Sequence, residues 1–121
     1  MTARIATVEV STGPGAGRQL YGLVVEGGFV ALSDDFPQWP SLRAVIAAGG
    51  LGALVKAGEG RAVTHPEGSF SYAIPVPDAG KILCVGVNFP DRNAEYKDGT
   101  AQPKYMSLFP RFASGFTGHD R

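Results

Sequence analysis

The chain has little that would cross-link it, anchor it or polarise it strongly. Its one cysteine, Cys84, excludes an intrachain disulfide. Cys84 lies in the apolar run Ile82-Leu-Cys-Val-Gly-Val87, where a small buried core residue is expected rather than a reactive thiol. No apolar run approaches the roughly 20 residues of a membrane span. The opening Met-Thr-Ala-Arg-Ile-Ala-Thr lacks the apolar segment and cleavage site of a secretory signal. These absences predict a cytoplasmic protein with no membrane partner. Charge is balanced, with 11 Lys and Arg against 11 Asp and Glu, and the basic residues are scattered. No stripe follows a phosphate backbone, so no nucleic acid partner is expected. The two histidines, His65 and His119, are far apart in sequence, and Asp34-Asp35 reads as a solvated loop pair, so no metal ligands are assigned within the chain. Gly13-Pro-Gly-Ala-Gly17 is followed by Arg18-Gln19 instead of the Lys and Ser or Thr of a phosphate loop, and reads as a turn.

What is present is globular. Apolar residues make up 44% and charged residues 18% of 121 positions, enough for one domain, or for a small domain and part of another. Residues 4–10 alternate Ile5, Thr7 and Glu9 with Ala6, Val8 and Val10, which predicts a strand with one buried face. Residues 19–25 and 29–32 flank Glu26-Gly27-Gly28, a hairpin signal, so the three strands should form an antiparallel meander. Ser41 is positioned to cap a helix over 42–48 with Leu42, Val45 and Ile46 on one face, ended by Gly49-Gly50. A second short helix over 51–57 is expected to close at Gly58. Residues 61–64 and 70–76 are short strand candidates. Ile5, Val8, Leu23, Val25, Leu42, Val45 and Ile46 make the expected core. The expected fold class is α+β, with a boundary near Pro77 to Lys81. It divides a small domain of meander and short helices, residues 1–77, from a second portion, residues 78–121.

That second portion opens with an apolar strand over 82–87, a helix with Pro90 in its first turn and Gly99 as its stop, and a further strand over 105–109; residues 112–121 read as a loop. On a helix beginning near Pro90, Arg92 and Glu95 are three apart and share a face. Spacing alone favours a surface ion pair worth about 0.3–0.5 kcal/mol. One strand, one short helix and a further strand cannot cover each other's apolar faces. The second portion is therefore expected to be a fragment, or to be completed by another chain.

The segment Gly86-Val-Asn-Phe-Pro-Asp-Arg-Asn-Ala-Glu95 resembles the entry motif of the fumarylacetoacetate hydrolase family, G-x-N-[YF]-x-x-H-x-x-E. Gly86, Asn88, Phe89 and Glu95 match, and Arg92 stands where the pattern has His. The later stretch Pro103 to His119 resembles a second familial segment, with Arg111 at its basic position, Ser114 at its serine and Gly118-His119 at its Gly-His pair. Together the two stretches cover 27 of the 121 residues, under a quarter of the chain. The first portion resembles the small leading domain of bacterial members in strand pattern alone.

The resemblance implies that residues 78–121 begin a truncated catalytic domain, an incomplete mixed β-sandwich roll. It implies the N-terminal portion of a metal-dependent enzyme of aromatic catabolism acting on 2-oxo or β-diketo acids. The reaction would be an isomerisation, hydration, decarboxylation or C–C hydrolysis, in a homodimer using Mg²⁺ or Mn²⁺. The family's metal ligands are an E-x-E pair and an Asp later in the sequence, and this chain has no E-x-E. The chain alone is thus expected to be inactive and to bind no metal. In the family, the His and Glu of the entry motif activate water. Glu95 carries over as a proton acceptor. Arg92 does not carry over as a base, because a guanidinium stays charged. It would orient Glu95 or clamp a substrate carboxylate in a bidentate way. Asn88, Arg111 and Ser114 are the implied substrate-binding residues. The alternative is a non-catalytic small α+β binding domain with a partly ordered tail.

Overall fold

The computed structural model describes residues 2–86 and 105–120. It shows a small α+β fold. The chain divides into two compact units, Met1–Ala79 together with Phe116–Arg121, and Gly80–Gly115. The second unit is thus an insertion between two segments of the first.

The first unit is built on β1 (Arg4–Val10), β2 (Gln19–Val25), β3 (Gly28–Ala31), β4 (His65–Pro66) and β5 (Phe70–Tyr72). They form one antiparallel sheet in the order β4-β3-β2-β1-β5. Pro66 is tolerated because β4 is an edge strand, where a missing N–H breaks no ladder. β2 and β3 are joined through Glu26-Gly27, with Val25 opposite Gly28, and Gly27 supplies the φ of +81° that this tight hairpin needs.

Both faces of the sheet are buried, which corrects the expectation of a single buried face on β1. On one face Tyr21, Leu23, Val30 and Leu32 pack with Leu42, Val45 and Leu54 from helices α1 (Leu42–Ala47) and α2 (Leu51–Gly58). On the other, Val8, Val10, Leu20 and Phe29 form a second cluster with Phe70 and Tyr72 against it. A flat sheet would hold β3 and β5 about 14 Å apart, yet the rings of Phe29 and Phe70 lie 5.6 Å apart. The sheet therefore curls, and among the described residues the curl closes the second cluster without a helix. Gly22 permits it, because a Cβ there would overlap the Val30 carbonyl oxygen and press on the Phe29 ring.

The local signals around the helices hold in part. The Ser41 hydroxyl accepts from the Ala44 amide and caps α1. Leu42 and Val45 are buried, but Ile46 is 49% exposed, because this helix is only six residues long and presents a narrow face. Gly49, at φ +66°, ends α1 as expected. α2 ends at Gly58 as expected, but not because Gly58 supplies the terminating angle. It lies buried in the last turn, where a Cβ would overlap Leu23, and Gly60 takes the left-handed angle beyond it, φ +70°. Residues 61–64 are not a strand; the pairing falls on His65–Pro66. The strand expected over 70–76 is confined to Phe70–Tyr72, and Pro75 instead accepts a 2.7 Å bond from the Thr7 hydroxyl through its carbonyl.

In the second unit, β6 (Ile82–Gly86) and β7 (Ser107–Arg111) form an antiparallel pair. β7 lies two residues later than expected. Pro110 faces Leu83 in a ribbon of only two strands, where a missing N–H can point away from the ladder. A 3₁₀ turn, Ala113–Gly115, follows. Cys84 is half-buried rather than fully buried, opposite Phe109. The helix expected from Pro90 lies outside the described residues.

Candidate functional site

Of the residues singled out by sequence, Asn88, Arg92 and Glu95 lie outside the described residues. Arg111 and Ser114 are described, and both are exposed. Alternation on the ribbon sets Ile82, Cys84, Gly86, Ser107, Phe109 and Arg111 on one face. The Arg111 guanidinium carbon sits 5.3 Å from the centroid of the Phe109 ring, two residues away on that face. This contact holds the charge along the strand without consuming its hydrogen-bond donors. Ser114 follows in the 3₁₀ turn.

The register also fixes a separation. Gly86, where the motif begins, is opposite Ser107, whereas Arg111 is opposite Ile82. Four strand residues set the Arg111 backbone about 13 Å from Gly86 along the ribbon. The two strands therefore place Arg111 at one end of the pair and the start of the motif at the other. The opposite face carries Leu83, Val85 and Leu108, which are 64%, 50% and 61% exposed.

The first unit contains a cleft of about 440 Å³ between the open end of β1 and β2 and the end of α2. Leu23, Val25 and Val55 give it an apolar floor, and Arg4, Glu26 and Glu59 are on its lining. Its size suits a small molecule. Among the described residues no buried side-chain nitrogen or oxygen lacks a partner, so no unsatisfied buried group marks a ligand position in it.

The polar groups of the unit mostly serve the fold. Arg18 pairs with Asp34 at 2.8 Å, and Arg61 pairs with Asp35. The Tyr21 hydroxyl donates to the Trp39 carbonyl at 2.8 Å. Burial raises the pKa of that phenol, and the nearby Asp35 carboxylate adds to the shift. Tyr21 is thus kept protonated as a donor and is not primed as a base. Thr64 links the Phe29 carbonyl, the Ala31 amide and His65 Nδ1, so His65 is engaged at the β3–β4 edge.

Among the described residues there is no group of three or more His, Cys, Asp or Glu able to hold a metal ion. The described residues do not fit the divalent metal that the resemblance implies. No helix among them is long and apolar enough to cross a membrane. Residues 112–120 form a loop with one 3₁₀ turn, as expected, and His119 is exposed; Gly118 and His119 nonetheless lie against Tyr72 of β5, a contact that no local pattern in the sequence signals.

Compared with protein-family models, curated proteins and solved structures, the chain matches none.

Proposed function

We propose that this chain is the N-terminal portion of an enzyme resembling the fumarylacetoacetate hydrolase family, acting on small 2-oxo or β-diketo acids. The observation that carries the reading is the run Gly86-x-Asn88-Phe89 followed by Glu95, issuing directly from the end of an apolar strand. A strand end that delivers polar side chains into a following turn and helix is a common way to build a site. Arg111 on β7 is a cation suited to an anionic substrate or a developing enolate, and because the register sets it at the end of the ribbon opposite Gly86, its part in the proposal rests on the resemblance alone.

In this proposal Glu95 moves the proton and Arg92 binds. Arg92 replaces the family's His, so the water-activating dyad is not reproduced. Isomerisation, hydration or decarboxylation of a 2-oxo acid then fits the residues better than hydrolysis of a carbon–carbon bond. A homodimeric assembly and a cytoplasmic location belong to the same proposal.

Arg92→Lys in the complete enzyme keeps the charge and loses the planar fork. It is expected to weaken substrate binding by about 1–3 kcal/mol, the scale of a charge-assisted bond, with turnover at saturation changed much less. Steady-state kinetics separate the two effects. Wild-type KM and kcat would return Arg92 and Glu95 to a surface ion pair.

A second reading is a non-catalytic α+β binding domain. The burial of both sheet faces within the first unit favours it, since that unit has its own core. A reading frame that stops directly after Arg121 would decide for it, and a frame continuing into an E-x-E segment would decide against it.

A further inference from the structure

We infer that Phe116–Asp120 is a strap that docks on edge strand β5 and fixes the chain where it re-enters the first unit. This rests on the first unit alone and is independent of the function proposed above.

Three observations carry it. At Gly118, an added Cβ would overlap the Tyr72 carbonyl oxygen and lie 2.8 Å from its carbon and 3.2 Å from the Ala73 Cα. The backbone of the strap therefore touches the backbone of β5, an approach open only to glycine. Gly118 is not among the glycines with positive φ, so space rather than backbone angle requires it. Next, the His119 ring meets the Tyr72 ring edge-on, with centroids 6.1 Å apart and planes at 68°. His119 Nε2 lies 3.2 Å from the Asp120 carboxylate, and Asp120 takes φ +59°, which turns the chain beyond the contact. Finally, the strap arches before it lands. Phe116 and Thr117 wall a cavity of about 190 Å³ against Gln19, Ala73, Ile74 and Pro77.

The position of β5 gives the strap its purpose. β5 is three residues long and stands last in the sheet order, beside β1, so among the described strands its outer side is an edge. Short, covered edges resist unwanted strand addition. The strap covers this one with the chain's own backbone.

Amide hydrogen exchange on the full chain tests it. Gly118→Val should raise exchange at residues 116–120 about tenfold or more, with β1, β2 and β3 unchanged, because docking is a local opening step. His119→Ala, which removes the ring contact and keeps the glycine, should give a smaller rise, about threefold, confined to the same residues. Gly115→Ala is the control, since a Cβ there meets nothing within 4 Å. The inference is overturned if Gly118→Val exchanges like wild type, if Gly115→Ala matches it, or if His119→Ala changes nothing. It is equally overturned if Gly118→Val loosens β1 to β3 as well, since Gly118 would then belong to the core.

Discussion

Glu95→Gln in the complete enzyme is expected to lower turnover about 10²–10⁴-fold, the usual contribution of a general acid–base group, while substrate binding changes little. The amide keeps the size and one acceptor of the carboxylate but cannot take a proton at neutral pH. Arg92, three residues earlier, cannot substitute, because a guanidinium has no proton to exchange near neutrality. The loss should therefore fall on kcat, in contrast to the binding loss expected for Arg92→Lys. A Glu95→Gln enzyme with wild-type kcat would remove Glu95 from the chemistry.

Phe29→Ala is expected to destabilise the first unit by about 3–5 kcal/mol, the range for deleting a fully buried aromatic ring. Phe29 has no exposed surface. It touches the Phe70 ring at 5.6 Å and the His65 ring at 6.5 Å, and so joins β3 to both edge strands. The cavity left behind could not collapse easily, since among the described residues no helix packs on that side of the curled sheet to move inward. Most small domains have only about 5–15 kcal/mol of stability, so the variant should be largely unfolded under mild denaturant. Ile46→Ala is the matched comparison, because Ile46 is half-exposed and its loss should cost far less. Urea unfolding followed through Trp39 checks both. Equal midpoints for the two variants would show that the second cluster contributes little.

The contrast between these residues shows what the sequence made legible. The meander, the Glu26-Gly27 hairpin and the Ser41 cap are written locally, in period-2 alternation and in turn and cap chemistry, and the structure contains each of them. The curl is not local. It depends on Phe29 meeting Phe70 across two intervening strands, a contact that no local pattern announces. Gly58 was legible as a glycine near a helix end, but whether such a glycine supplies an angle or a space depends on Leu23, far away in sequence. The strand expected over 105–109 runs two residues further, through Pro110, because a two-stranded ribbon tolerates it. For the candidate site, Asn88, Arg92 and Glu95 lie outside the described residues and rest on motif and spacing. Arg111 and Ser114 are seen on the ribbon and the turn after it, with Arg111 set at the end opposite Gly86.

The most direct test of the central claim is turnover of a panel of acylpyruvates and oxaloacetate with Mg²⁺ or Mn²⁺. It compares the purified 121-residue chain with the complete product of its reading frame. The account predicts no turnover by the chain alone, and metal-dependent turnover by the complete product that Glu95→Gln abolishes. Metal-dependent turnover by the chain alone would contradict it, as would a complete product whose activity survives Glu95→Gln.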